Sequence, residues 1–459
     1  MRRACFIAGA LLLAGTAGAQ RAAATGPPRS PAESPLRHST HAAPGNSRIV
    51  VTPHGPIELK AALAAARPGD TIEVAGGVHR GPFVVTAPIR LVGRDRPVLD
   101  GGGEGSVVEI TVPGVTVTGF DIRGSGNTAY LEPSGVKATA RVTVTNNRFD
   151  DVLYGINLKE APGSRIAGNV IHGRAIHIAR RGDGIRIWES PGTTVEGNEV
   201  VAVRDVVIWY SRDVVVRDNT VKDSRYGLHF MYSHASVVAD NRFEGNSVGA
   251  FLMYSTDLDI EGNVFSRNHG PSGYGVGLKD SDRVNVLGNV FAGNRVGLYL
   301  DNTPSSLDVH DTVADNVFAY NDAGILVLPA VRRNSFRANR FIDNMTQVDV
   351  TGGGRVEGND WTPGGAGNYW SNYAGFDYDG DGVGDLPFRL APAFDRLTDR
   401  QPSLRLFSLG PVAAAVDIAG RAFPVFVRSA IVVDTAPVMN PGMPPIPAPP
   451  VDGRPLAAV

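Results

Sequence analysis

The chain has 459 residues, with 44 basic and 46 acidic side chains and a formal net charge of −2. That balance argues against a nucleic-acid partner, which needs a basic face. The 55 glycines call for many tight turns, and the single cysteine, Cys5, leaves a processed chain without disulfides or thiolate metal ligands.

Residues 1–19 read as an export signal. Arg2 and Arg3 precede a short apolar core, Phe6 to Ala14, and Ala17-Gly18-Ala19 is a small-residue cleavage site. The apolar run is too short to span a bilayer, and no later stretch is long enough for a transmembrane helix. An uncleaved anchor is the alternative. Residues 20–48, rich in Ala, Pro, Ser and Arg, read as a disordered linker. Pro56 to Arg67 is the best helix candidate, with Ile57, Leu59 and Leu63 on one side and Pro68-Gly69-Asp70 as its stop. Such a helix can cover the open end of a stack of strands.

Residues 49–360 carry an internal repeat of about 22 residues, the mark of a solenoid. A small or acidic residue, Asn, one residue and then usually Val or Phe recur, at Asn147, Asn169, Asn198, Asn219, Asn241, Asn263, Asn289, Asn316, Asn339 and Asn359. About eight residues later a Gly precedes an apolar residue, as at Gly155, Gly227, Gly249, Gly297 and Gly324. Ile171 to Gly182 and Arg267 to Gly273 are insertions. Short Val-rich pieces such as Val142-Thr143-Val144 suit strands that stack on their equivalents ~4.8 Å away. The expected fold is all-β, a right-handed parallel β-helix in which the asparagines form a buried ladder.

Strand alternation sorts the Gly-containing strand into inward and outward side chains. Leu228 and Phe230 should face in, as should Ala250 with Leu252, Ile185 with Ile187, and Val206 with Ile208. Stacking then builds an outward column of Lys159, Trp188, Trp209, Met231, Met253, Lys279 and Asp301. The neighbouring column at the strand-to-turn junction is Glu160, Glu189, Tyr210, Tyr232, Tyr254, Asp280 and Asn302, with His229 beside the stripe. Either a C-terminal arm covers these rings and thioethers, or they form a patch that docks a partner or holds a soft metal. Met231 and Met253 with His229 are the candidate Cu(I) ligands, thioethers being soft donors.

Residues 361–400 form a Gly- and Asp-rich aromatic segment. In Asp377-Tyr378-Asp379-Gly380-Asp381-Gly382-Val383-Gly384-Asp385, carboxylates at Asp377, Asp379, Asp381 and Asp385 match positions 1, 3, 5 and 9 of a calcium loop. Phe388 stands where the twelfth-position Glu belongs, and a tight solvated turn is the alternative. Residues 401–459 read as a C-terminal docking arm with a proline-rich end.

Parallel β-helices also host polysaccharide lyases and epimerases, which need a positioned base and acid. Lys159, His172, His177, Asp183, Arg186 and Glu189 are candidates, without a compact motif. No catalytic residue is assigned.

Arg225-Tyr-Gly-Leu-His-Phe-Met-Tyr-Ser233, Val248-Gly-Ala-Phe-Leu-Met-Tyr-Ser255 and Gly367-Asn-Tyr-Trp-Ser-Asn-Tyr373, with the Asp loop that follows, resemble the NosD family over about 49 to 440. The resemblance implies a periplasmic, non-enzymatic maturation factor for nitrous oxide reductase. It would sit on an ABC transporter of permease and ATPase subunits and, with a copper chaperone, help assemble the copper–sulfur centre. Membrane association would come through the transporter. The chain has no Walker-type ATP loop, so the ATPase would be a separate chain. Under this resemblance Trp188, Trp209, His229, Met231, Tyr232, Met253 and Tyr254 are the partner or copper contacts. Copper would be transient and calcium structural. A secreted polysaccharide-active β-helix is the alternative.

Overall fold

The computed structural model describes residues 47–53, 55–351, 356–390, 401–407, 411–412, 415–416 and 430–442. The export signal and most of the linker and terminal arm lie outside them. Each repeat supplies three short strands in turn. Stacked in parallel, they give three sheets of 13, 12 and 13 strands, a right-handed parallel β-helix of about 13 coils. The strand before the ladder asparagine, such as Val142–Thr145, builds the first face. The strand after it, such as Arg148–Asp150, builds the second. The longer strand that follows, such as Tyr154–Lys159, builds the third.

The asparagine column forms as the repeat demands. From Asn147 to Asn339 each backbone N–H and side-chain amide donates to the Oδ1 of the asparagine one coil on. One expected member falls elsewhere. Asn339 donates to Asn368, while Asn359 accepts from Asn334 in a separate pair near the first face. The shift arises because the segment between Asn339 and Tyr369–Trp370, the last strand of the second face, is longer than one coil. The solenoid therefore runs past the boundary expected at 360.

A second ladder five residues further on was not anticipated. Ser224 donates to Asn246, then Asn246 to Asn268, Asn294, Asn321 and Asn344 in succession. Inside, Phe243, Phe265, Phe291, Phe318, Phe341 and Trp370 stack at 4.2–5.2 Å. Phe388 adds one more ring, 4.3 Å from Trp370.

The helix is shorter than expected, Leu59–Ala65. The turn from Thr52 to Gly55 sets the entry, so Ile57 stays 41% exposed. Ala66 is already extended, and Arg67, immediately before Pro68, is disfavoured from continuing the helix. Leu59, Ala62 and Leu63 are buried against the first coils. At the other end Val432–Asp434 pairs antiparallel with Phe388–Leu390, and the buried Asp434 carboxylate closes the asparagine ladder. It accepts from the N–H and Nδ2 of Asn368, from Trp370 Nε1 at 2.9 Å and from Thr362 Oγ1 at 2.9 Å.

Candidate functional site

The third face carries the candidate residues. Ile156 and Leu158, Ile185 and Ile187, Val206 and Ile208, Leu228 and Phe230, and Ala250 and Leu252 all point inward, at 2% exposure or less. The alternate side chains must then point outward, and the register aligns them. Lys159 lies beside Trp188, Trp188 beside Trp209, Trp209 beside Met231, Met231 beside Met253, Met253 beside Lys279 and Lys279 beside Asp301. The two tryptophans and two methionines are half-buried. Val207, expected outward, occupies that register but is 1% exposed, in the same column as Arg186 and His229.

The junction column adopts one backbone state. Glu160, Glu189, Tyr210, Tyr232, Tyr254, Asp280 and Asn302 all have φ between 46° and 52°. Left-handed backbone suits Asn and Asp, but it strains a bulky residue. Three successive tyrosines hold it nonetheless. Their rings stack at 5.3 and 5.0 Å, and Trp188 lies 5.0 Å from Tyr210. A serine ladder fixes the turn below them: Ser190, Ser211 and Ser233 each donate a backbone N–H to the serine hydroxyl of the next coil.

His229 sits two residues before Met231 on the same side of its strand, between Val207 and Phe251 of the adjacent coils. Its ring stands perpendicular to Trp209 at 5.4 Å and lies 5.0 Å from Tyr226. Nδ1 is buried without a hydrogen-bond partner, and so is Trp209 Nε1. Burial holds the imidazole pKa down at about 4, helped by the Arg225 and Arg204 charges against Asp205. The ring is therefore neutral near pH 7, the state in which it can bind a metal.

A charged network that the repeat did not reveal lies beside this ring. The register slips between Asp205 and Val207, where this coil lacks the usual Gly. Asp205 and Asp183, each 1% exposed, are bridged by Arg204 at 3.6 and 2.8 Å, and Arg225 Nε donates to Asp205 at 2.9 Å. Burial raises the Asp183 pKa to about 6, with Arg204 opposing and Asp205 adding to the shift. Arg186 pairs with Glu132 at 2.6 Å and lies 5.5 and 5.9 Å from the Trp188 and Trp209 rings. The loop carrying Glu132 also projects Tyr130 and Leu131, 83% and 55% exposed.

The remaining candidates spread out. His172 ends a second-face strand, the His177 ring accepts from Ala179 N–H in the insertion, Glu189 is exposed, and Lys159 lies 4.0 Å from Glu160. In the acidic loop Asp377, Asp379 and Asp381 bring oxygens within 4.8 Å of one another. Asp377 accepts from the Gly380 and Gly382 amides, which keep its pKa low, and Asp385 accepts from Tyr378 N–H. Phe388, at the twelfth position, is a core ring. Hydrogen bonds from the last coils reach residues 434–442: Arg340 donates to Gly442 O at 3.2 Å, and Val438 bridges Tyr369.

Fold and face together define a parallel β-helix with a lateral stripe of aromatic and soft-donor side chains. A family model described as "Periplasmic copper-binding protein (NosD)" matches residues 167–375. The "Probable ABC transporter binding protein NosD" of Pseudomonas aeruginosa is 32% identical over 381 residues, spanning 80% of this chain and 87% of that one. The protein of the same description from Stutzerimonas stutzeri is 28% identical over 384 residues, spanning 79% and 85%. The chain belongs to the NosD family. Among solved structures, the A-module of Azotobacter vinelandii mannuronan C-5 epimerase AlgE6 is similar at 13% identity and a TM-score of 0.45, covering 68% of this chain and 93% of its own. Arthrobacter chlorophenolicus DFA-IIIase without its lid is similar at 15% identity and 0.45, covering 64% and 94%.

Proposed function

We propose that this chain is an exported periplasmic accessory protein that works with an ABC transporter and a copper chaperone to mature the copper–sulfur centre of nitrous oxide reductase. The third face is its contact surface for copper and copper proteins. One observation carries the assignment of the face: a neutral histidine with an unpartnered buried nitrogen stands beside two thioethers in register on adjacent coils. An orphaned imidazole nitrogen and two thioethers form a donor set suited to copper as cargo. Membership in a family whose model is described as copper-binding supports the same reading. Among the described residues no helix is long and apolar enough to cross a membrane, which is consistent with attachment through separate transporter subunits. Asp377, Asp379, Asp381 and Asp385 are the residues that would take a structural calcium ion.

The polysaccharide reading needs a free base and acid near one another. Asp183, its best candidate, is buried and committed to Arg204.

Titration of the purified chain with copper under reducing conditions tests the proposal. The parent should bind about one equivalent, and Met231→Ala or Met253→Ala should each weaken binding about tenfold or more. Unchanged binding in the double variant would remove the face from the proposal.

A further inference from the structure

Trp209 stands apart from the donor atoms. It adjoins Met231 in register, its ring is perpendicular to His229 at 5.4 Å, and its buried Nε1 bonds to nothing. A buried indole usually places its N–H on an acceptor, so hydrogen bonding does not explain this ring's position. Met231 and His229 adjoin it, Met253 follows one coil beyond Met231, and none of the three is a carboxylate. The Asp205 carboxylate is already bonded to Arg225 and lies near Arg204. The Arg186 guanidinium, 5.9 Å from the Trp209 ring, is paired with Glu132. Few neutral soft donors suit a monovalent soft ion, whereas Cu(II) and Zn(II) favour imidazole and carboxylate sets with more donors. An aromatic face adds attraction for a cation, and the bulk of this ring beside His229 and Met231 screens that side of the donors.

We infer that Trp209 is the selectivity wall of the His229–Met231–Met253 site, closing it around a monovalent soft cation and against divalent ions. This rests on the copper reading of the same face. Met231 and Met253 supply the attraction, His229 anchors the ion between them, and Trp209 limits coordination. Because the wall belongs to the coil before the ligands, a partner can approach from the coils beyond Met253 without displacing it.

The test uses the purified chain in a Trp188→Phe background. The other two tryptophans, Trp361 and Trp370, are 4% and 1% exposed at the far end of the helix, so a fluorescence change reports Trp209. Ag(I) serves as the redox-inert monovalent probe, with Cu(I) under reductant, Cu(II) and Zn(II) in parallel. Ag(I) and Cu(I) should quench the emission and Zn(II) should not. Trp209→Leu should abolish the quench, weaken Ag(I) binding about tenfold against a competing chelator and narrow the preference over Cu(II). Trp209→Phe should recover part of the affinity, with circular dichroism confirming the fold of both variants. If Trp209→Leu binds Ag(I) as tightly and as selectively as the parent, the wall is overturned and the copper site stands. If the parent binds neither Ag(I) nor Cu(I), the copper reading falls, and the wall with it.

Discussion

At the scale of single residues the molecule relies on satisfying buried polar groups. Asn241, 1% exposed, donates to Val216 O, Ala239 O and Asn263 Oδ1, and its Oδ1 accepts twice from Asn219. Asn241→Ala leaves several of these groups unpaired, at roughly 1–3 kcal/mol for each. A drop in urea midpoint worth about 3 kcal/mol is expected. Tyr232 shows the opposite balance. Its left-handed backbone stores roughly 1 kcal/mol, so Tyr232→Asn should lose clearly less stability than the roughly 1–3 kcal/mol its two stacking contacts are worth. Asp311 gives a pH dependence. Burial raises its pKa to about 6, against hydrogen bonds from Val284 N–H and Thr303, and nearby Asp282 adds to the rise. Thr303 Oγ1 lies within hydrogen-bonding range of both Ser281 O and Asp311. A protonated Asp311 can donate to that hydroxyl while the hydroxyl donates to Ser281. The folded pKa lies above the unfolded one, so this stabilisation is full below about pH 4 and lost as pH rises through about 6. Melting curves from pH 4 to 7 should show a loss of about 2 kcal/mol in the parent that Asp311→Asn lacks.

At the scale of elements, the two ends are closed by different devices. The N-terminal coils are covered by the short helix Leu59–Ala65, whose three buried residues face the core. The other end is closed by strand Val432–Asp434, more than 60 residues from the ladder it completes. Asp434 stands where the next ladder asparagine would, and as an acceptor it can receive the donors of Asn368 and Trp370 together. Asp434→Ala should orphan those donors and expose the last stacked ring. The expected result is a red shift in tryptophan emission at a denaturant concentration where the parent remains native, with copper binding at the distant third-face site unchanged. Loss of both at once would place the closing strand and the site in one cooperative unit.

Over the whole molecule, each coil contacts chiefly its neighbours, so stability should vary along the stack. The two ladders and the phenylalanine stack overlap between Asn241 and Asn344, where amides should exchange with deuterium most slowly. The coils before Asn147 lack the asparagine ladder and should exchange sooner. Uniform protection along the chain would contradict this account. The same arrangement explains why a site can sit midway along one wall: coils on both sides hold its backbone in register while its side chains remain at the surface.

Much of this was legible in the sequence because a parallel β-helix is a periodic object. The asparagine spacing and the strand alternation were enough to place Trp188, Trp209, Met231 and Met253 in one outward column, and the register agrees at every step. The resemblance carried by the doubled Met-Tyr-Ser block agrees with the family membership. The second ladder was also written in the chain, as an Asn five residues after the first in five successive coils, but Gly at the neighbouring landmark drew the alignment instead. Periodicity by itself therefore determined the fold, the inward faces and the column that carries the candidate site. Only the tertiary structure decided what breaks the period: the slipped register at Asp205, the Asp183–Arg204–Asp205 network, the orphaned nitrogens of His229 and Trp209, and the return of Asp434 to close the ladder. These depend on contacts between coils and on where a side chain finds, or fails to find, a partner, and a linear repeat does not encode that directly.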